Sequence, residues 1–330
     1  MAEGLSHPSI LAGEPVLPLR RRWMRWRFAR RFRAPAWTSS LPFHLLLFAL
    51  TVLTTLIVGA GIEANYLAHR PAFNLDFSLT LFHSLWRHPE RLVPGVPFSC
   101  TLLGILLAHE LGHYLTCRYY GVRASLPYFI PAPTLIGTLG AFIRIRSPIL
   151  TRRLLFDVAV AGPIAGFVVA GPALALGIVH SRAGPALTLP GTIVLGHPLA
   201  LTWLARLLRP GVNPSQIALN PVACGAWVGL FATALNLLPM GQLDGGHILY
   251  ALLGRKHRLF SRAFSLALVP LGIVCWPGWL VWAALLWLIG IGHPPVLVPQ
   301  EPLNPARKLL AVAAALMFML CFTPTPFSVS

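Results

Sequence analysis

Long apolar runs constrain this sequence more than any other feature. A run of about 20 apolar residues crosses the hydrocarbon core of a bilayer as a helix. Only 11% of the residues are Asp, Glu, Lys or Arg, whereas soluble domains average about 25%. We therefore predict an all-α polytopic membrane protein with about six transmembrane helices. The predicted spans cover approximately residues 41–61, 96–120, 154–179, 221–238, 263–290 and 309–322. Pro270 and Pro277 leave open whether 263–290 is one span or two.

A basic arm precedes the first span. Eight arginines crowd between residues 20 and 33, and Trp23, Trp26 and Phe28 lie among them. Clustered cations with aromatic neighbours suit an anionic lipid surface. A basic tail can also bind nucleic acid, but its position directly before a span favours a topogenic role, so we expect no nucleic-acid partner. We predict that residues 1–40 form a basic cytoplasmic arm and residues 41–330 a membrane domain.

The distribution of Lys and Arg predicts the orientation. With a cytoplasmic N-terminus and six alternating spans, 18 of the 26 Lys and Arg residues lie inside and eight lie outside. Cytoplasmic loops carry the excess of positive charge, which supports this orientation. The residues assigned to the outside are Arg70, Arg87, Arg91, Arg182, Arg206, Arg209, Arg307 and Lys308.

The second span contains a cluster of ionisable side chains, His109-Glu110-Leu-Gly-His113. Two histidines four residues apart share one face of a helix and can bind one metal ion, while the glutamate beside them acts as a general base. Zinc lowers the pKa of a bound water to about 7, and the glutamate takes its proton. Ionisable groups inside a span cost about 2.5–3.5 kcal/mol each, so they indicate function. The alternative is a pair of structural histidines bonded to backbone carbonyls.

A catalytic zinc site needs a third protein ligand. Asp244 and Asp157 are the carboxylates that lie near a span. Asp244 is the better ligand because Gly241, Gly245 and Gly246 allow the backbone around it to bend. The alternative for Asp244 is an ordinary aspartate in an Asp-Gly turn.

The segment between the second and third spans is not helical in pattern. Residues 121–147 alternate apolar and polar side chains between prolines and glycines. This pattern predicts a membrane-associated β-hairpin or a re-entrant loop near the active site.

Several motifs together resemble the site-2 protease family of intramembrane metalloproteases. They are His109–His113, the pair Gly162 and Gly166, and Asn236-Leu-Leu-Pro239 running into Leu243-Asp244-Gly-Gly246. Residues 129–148 look like the branch of plant chloroplast and bacterial members that lacks a PDZ domain. The resemblance covers about residues 103–254, and we place the catalytic core at about 96–254.

The resemblance implies an endopeptidase with Zn²⁺ as cofactor, His109, His113 and Asp244 as ligands, and Glu110 as the catalytic base. It implies that Asn236 binds the substrate, although a polar helix cap is the alternative. Gly162 and Gly166 have the spacing of close helix packing. The implied substrates are single-span membrane proteins, and the implied location is a bacterial inner (cell) membrane.

Two competing functions are an inactive metalloprotease homologue and a metal-ion transporter. The intact Glu110 opposes the first, and ionisable residues concentrated at one point oppose the second.

Overall fold

The computed structural model describes residues 36–74, 88–184, 192–290, 296 and 302–329. The predicted arm therefore lies almost entirely outside the described residues. The chain divides into two compact units, residues 1–40 and 41–330. Of the first unit, the described part is a 3₁₀ turn over Ala36–Ser39 and Ser40, whose hydroxyl donates to the Trp37 carbonyl.

The second unit is mostly helical. Its helices are α1 (Leu41–Leu67), α2 (Val96–Tyr119), α3 (Arg152–His180), α4 (Leu199–Leu208), α5 (Pro221–Asn236), α6 (Asp244–Leu253), α7 (His257–Val274), α8 (Gly278–Ile289) and α9 (Pro305–Cys321). Three helical segments are long and apolar enough to cross a membrane: Leu41–Leu67, Pro89–Tyr119 and Arg152–His180. These three correspond to the first three predicted spans. The described helices therefore indicate an integral membrane protein.

Short strands make the fold less purely helical than the prediction. They are β1 (Phe73–Asn74), β2 (Tyr128–Pro131), β3 (Thr138–Phe142), β4 (Arg182–Ala183), β5 (Thr192–Leu195), β6 (Ile217–Ala218) and β7 (Phe327–Val329). β2 and β3 form an antiparallel hairpin, the first of the two structures predicted for residues 121–147. The Thr54 hydroxyl of α1 fixes its turn by donating to the Gly137 carbonyl at 2.6 Å.

One small sheet defines one end of the helix bundle, which we name the sheet end. β5 pairs with β1 on one side and with β7 on the other. Along the chain, β1 comes after α1, β5 comes after α3 and β4, and β7 comes after α9, so those three helices finish at the sheet end. The indole of Trp227 in α5 donates to the Gly196 carbonyl at 2.7 Å and attaches this sheet to the bundle.

The C-terminal helices answer a question that the sequence left open. The range 263–290 holds two helices, α7 and α8, which separate at Cys275 and Pro277. The Ser261 hydroxyl of α7 donates to the Pro239 carbonyl at 3.0 Å, and the Trp279 indole of α8 donates to the Pro324 carbonyl near β7 at 2.7 Å. α7 therefore runs towards the sheet end, and α8 begins there and runs back.

α9 starts at the end of the bundle opposite the sheet. Arg307, near its beginning, forms an ion pair with Asp157 in the second turn of α3, with an Nη2–Oδ2 distance of 2.6 Å. The prediction that placed Arg307 and Lys308 on the opposite side from the start of α3 is therefore wrong. The physical reason is the hairpin of α7 and α8, which adds one reversal of the chain.

Candidate metal centre

His109 and His113 occupy the centre of the bundle. They lie in α2, and both are buried. Their Nε2 atoms are 3.1 Å apart, because residues four apart on a helix project from one face. Both rings thus direct a nitrogen to the same point.

Asp244 reaches this point from the first residue of α6. Its Oδ2 atom lies 3.2 Å from Nε2 of His109 and 3.3 Å from Nε2 of His113. Gly241 allows the preceding turn because its φ is +61°, a value that favours glycine. At Gly245 a Cβ atom would overlap the Leu237 carbonyl oxygen, so only glycine lets α6 begin this close to the end of α5. The structure therefore brings the three predicted ligands together.

The three atoms fit the coordination geometry of zinc. Zinc bonds to nitrogen and oxygen are about 2.0–2.2 Å, so the ligands of a tetrahedral ion stand about 3.3–3.5 Å apart. The observed separations of 3.1, 3.2 and 3.3 Å approach this value. Two imidazoles and one carboxylate are also a typical ligand set for catalytic zinc, with a fourth position left for water or substrate. Within the described residues, this is the one group of three such side chains close enough to share an ion.

The His113 ring is oriented by α3. Its Nδ1 donates to the Val158 carbonyl at 2.7 Å, which leaves Nε2 to face Asp244. A hydrogen bond from the second ring nitrogen to a backbone carbonyl fixes the tautomer of a metal-binding histidine. The N-terminal half of α3 is therefore part of the candidate metal centre.

Gly162 and Gly166 make room for the two histidines. A Cβ atom at Gly162 would overlap the His113 ring, and one at Gly166 would lie 3.3 Å from Nδ1 of His109. Close packing of α2 and α3 is also seen at Gly112, where a Cβ atom would lie 2.5 Å from the Ala161 carbonyl oxygen. The sequence indicated the close packing but not that the two α3 glycines face the ligands themselves.

Glu110 is buried beside the ligands. Its side chain lines a cavity of about 210 Å³ together with the two histidines and Asp244. Ala141, Phe142 and Ile143, from β3 and the residue after it, line the same cavity. The predicted β-hairpin is thus near the candidate base.

Asn236 is the last residue of α5, and its Nδ2 lies 3.4 Å from Nε2 of His109. It lines the cavity, as do Gln242 and His247. The sequence analysis did not select Gln242, although its position in the turn before Asp244 was a usable signal. The three-residue spacing of His247 from Asp244 places both on the same face of α6.

Asp157, the alternative ligand, belongs to a different cluster. Its carboxylate accepts two hydrogen bonds from Arg307, at 2.8 and 2.6 Å, and one from the Tyr120 hydroxyl at 2.6 Å. The bond to the carboxylate raises the pKa of Tyr120, because the bond is lost when the phenol ionises. This cluster joins the C-terminal end of α2, the start of α3 and the start of α9, and Val158 follows Asp157 directly.

Comparison with known proteins supports the same interpretation. The model of peptidase family M50 matches residues 97–276. The probable zinc metalloprotease EGY2, chloroplastic, of Arabidopsis thaliana is 30% identical over 270 residues, which are 80% of this chain and 47% of that protein. The EGY2 protein of Oryza sativa subsp. indica is 32% identical over 258 residues, 76% of this chain and 46% of its own length.

The probable zinc metalloprotease EGY1, chloroplastic, of Arabidopsis thaliana is 31% identical over 250 residues, 71% of this chain and 44% of that protein. The chain therefore spans less than half of the length of these relatives. The predicted resemblance to plant chloroplast members is confirmed. Because the family model covers more than half of the sequence and includes all three candidate ligands, the chain belongs to peptidase family M50.

Proposed function

We propose that this chain is an intramembrane zinc endopeptidase that hydrolyses peptide bonds of membrane-spanning proteins. The observation that carries the proposal is the convergence of His109, His113, Asp244 and Glu110 inside a bundle of apolar helices. His109 is ten residues from the end of α2, a distance of about 15 Å along the helix axis. A substrate bond cut there lies within the depth of the bilayer.

Zinc is the metal that the site fits best. The relatives EGY1 and EGY2 are named zinc metalloproteases, and the ligand set and spacing here agree with zinc. When bound, zinc acts as a Lewis acid that polarises the scissile carbonyl and lowers the pKa of water to about 7. His109, His113 and Asp244 would hold it.

Glu110 moves the proton in this mechanism. Its carboxylate accepts a proton from the attacking water and returns it to the amine nitrogen of the leaving group. The cavity has room for several water molecules beside this carboxylate, and one of them can serve as the nucleophile. One side chain thus serves as base and then as acid.

Asn236 orients the substrate. A ring nitrogen that coordinates a metal has no lone pair left to accept a hydrogen bond, so the Asn236 amide next to His109 can donate to a substrate carbonyl instead. Backbone groups inside a membrane need hydrogen-bond partners. A locally unwound substrate finds such partners in Asn236, Gln242 and the backbone of the segment around Ile143.

The substrates are single-span membrane proteins in this proposal. A single helix can approach the bundle from the side and needs only one unwound turn to enter the cavity.

Two alternative functions would require different features of the chain. A transporter would hold ionisable groups along several helices, whereas the one metal-capable cluster among the described residues is the site above. An inactive homologue would not need a base, and Glu110 lies beside the ligands.

The test is Glu110→Gln in the purified full chain. We expect zinc content equal to that of the unaltered protein, because the three ligands remain. Cleavage of a model single-span substrate in detergent should fall about 10²–10⁴-fold, because the general base is lost. Zinc is measured by elemental analysis, and cleavage by gel mobility. Cleavage at the unaltered rate would refute the role of Glu110, and a protein purified without zinc would refute the metalloenzyme.

We also propose that the N-terminus faces the cytoplasm. When Arg307 and Lys308 are counted with the end opposite the sheet, the numbers of Lys and Arg inside and outside change from 18 and 8 to 20 and 6. This change strengthens the excess of positive charge on the cytoplasmic side. In a variant without native cysteines, Lys308→Cys should be protected from an impermeant thiol reagent added to sealed cells, whereas Ser328→Cys should react. The reverse pattern of labelling would show that the orientation is opposite to the one proposed.

The proposed contact of the N-terminal arm with anionic lipid involves residues 20–33, which lie outside the described residues.

A further inference from the structure

Three arginines line one cavity at the C-terminal end of α2. Arg118, Arg123 and Arg146 border a space of about 420 Å³, together with Tyr114. This cavity is separate from the metal centre: it shares no lining residue with the one that contains Glu110. Nothing in the proposed cleavage chemistry uses it.

Arg123 and Arg146 stand opposite each other on two antiparallel segments. The Arg146 amide donates to the Arg123 carbonyl at 2.7 Å, and Ala124 and Ile145 form the adjacent bridge. Like charges directly opposite on neighbouring strands destabilise the pairing. An isolated pair of this kind has an electrostatic cost that a bound anion would remove.

Arg118 adds a third positive charge. Its Nη1 donates to the Tyr114 hydroxyl at 3.2 Å, and its guanidinium carbon lies 5.9 Å from the centre of that ring. In the described part of the chain, none of the three guanidinium groups forms an ion pair with a carboxylate. The nearby Asp157 is already bonded to Arg307 and Tyr120. The cavity therefore has an excess of positive charge.

The position of the cavity indicates the source of the anion. It lies at the end of a candidate membrane span, where lipid headgroups are expected. Leu115 and Tyr119, on the same final turns of α2, are 62% and 84% exposed, so acyl chains can cover them. Guanidinium groups bind phosphate oxygens in bidentate geometry. We propose that this cavity binds the phosphate headgroup of an anionic membrane phospholipid.

The proposed site is connected to the cleavage site through the hairpin. Residues 123–125, shortly before β2, pair with residues 144–146, which directly follow Ile143 in the lining of the cavity of Glu110. A headgroup that bridges Arg123 and Arg146 holds these two segments together. This consequence for activity rests on the proposed function, whereas the binding itself does not.

Binding is tested on the full chain purified in neutral detergent. Native mass spectrometry with added dioleoylphosphatidylglycerol should show retained lipid, and dioleoylphosphatidylcholine should be retained more weakly. Each arginine near a membrane surface contributes about 1 kcal/mol, or about a fivefold change in affinity. Arg123→Gln should therefore weaken retention about fivefold, and Arg123→Gln with Arg146→Gln about 25-fold. Arg144→Gln is the matched control, because it lies on the same segment as Arg146 but does not line the cavity.

Thermal unfolding distinguishes a binding site from a structural role. Without anionic lipid, Arg123→Gln should be as stable as the unaltered protein or more stable, since the repulsion is removed. With phosphatidylglycerol, the unaltered protein should gain more stability than the variant. The proposal would be overturned if the double variant and Arg144→Gln retained equal amounts of phosphatidylglycerol. It would also be overturned if millimolar inorganic phosphate displaced the bound lipid, because that result would indicate a site for free phosphate. Absence of cleavage in the unaltered protein, with lipid retention weakened in the Arg123 and Arg146 variants as expected, would count against the proposed function alone.

Discussion

The metal centre and the C-terminal helices differ in what their side chains are required to do. At the interface of α2 and α3, glycines bring the helices together and leave no space for one added carbon at Gly162. In α7 and α8, by contrast, large apolar residues such as Ile273, Val274 and Leu288 are exposed on the surface of the bundle. The first region fixes positions of individual atoms, whereas the second presents apolar surface suited to lipid.

This contrast teaches where substitutions should matter. A lipid-facing position accepts any apolar side chain, since lipid has no fixed shape. A position beside a metal ligand accepts only the side chain whose volume fits, because packed interiors do not yield easily. Substitutions at the metal centre should therefore change zinc binding, whereas substitutions outside it should not, and three predictions compare positions inside the centre with positions outside it.

The largest effect is expected for Asp244→Ala. The two remaining histidines form an incomplete ligand set, so zinc occupancy should fall close to zero and cleavage to background. Asp157→Asn is the control, because Asp157 pairs with Arg307 and does not contact the metal centre. Elemental analysis of both purified variants decides the assignment. Zinc retained without the Asp244 carboxylate and lost in Asp157→Asn would reverse it.

A smaller but still large effect is expected for Gly162→Ala. The added methyl group would displace the His113 ring, and disturbing the surroundings of a ligand costs about 10–100-fold in metal affinity or activity. Gly171→Ala in the same helix is the matched control, because a Cβ atom there meets nothing within 4 Å. Zinc titration against a competing chelator measures the difference. Equal zinc affinity in the two variants would contradict the role given to Gly162.

The smallest effect is expected where α9 meets the catalytic helices. Arg307→Gln removes a bidentate ion pair with Asp157, so we expect a loss of about 1–3 kcal/mol in stability and a lower unfolding temperature. Cleavage should fall less than about threefold below that temperature, since the network reaches His113 only through Val158. Lys308→Gln serves as control because the neighbouring Lys308 is exposed. An unchanged unfolding temperature would show that the pair does not hold α9 in place.

Much of the metal centre could be predicted from local spacing. His109 and His113 share one face of a helix whatever surrounds it, Glu110 is next to that face, and carboxylates near the spans are few. The alternation, prolines and glycines of residues 121–147 predicted a β-hairpin or a re-entrant loop, and the structure has the hairpin. The end of the bundle at which α9 begins could not be predicted from the sequence. The reason is that α8 has only 12 residues and its apolar run joins that of α7 across Pro277. Hydropathy does not show that the chain reverses between them.

The sequence by itself determined the membrane class of this protein, the two histidines with their glutamate, and the candidate status of Asp244, because these depend on composition and on the period of the helix. Only the tertiary structure decided which glycine of α3 faces a ligand. Gly162 and Gly171 are nine residues apart and hence on opposite faces at about 100° per residue; the spacing of Gly162 and Gly166 indicated close packing, but not that this face meets the histidines. The structure likewise decided that Asp157 binds Arg307 and that Arg123 opposes Arg146. These are contacts between distant segments, and they form only when the whole bundle packs.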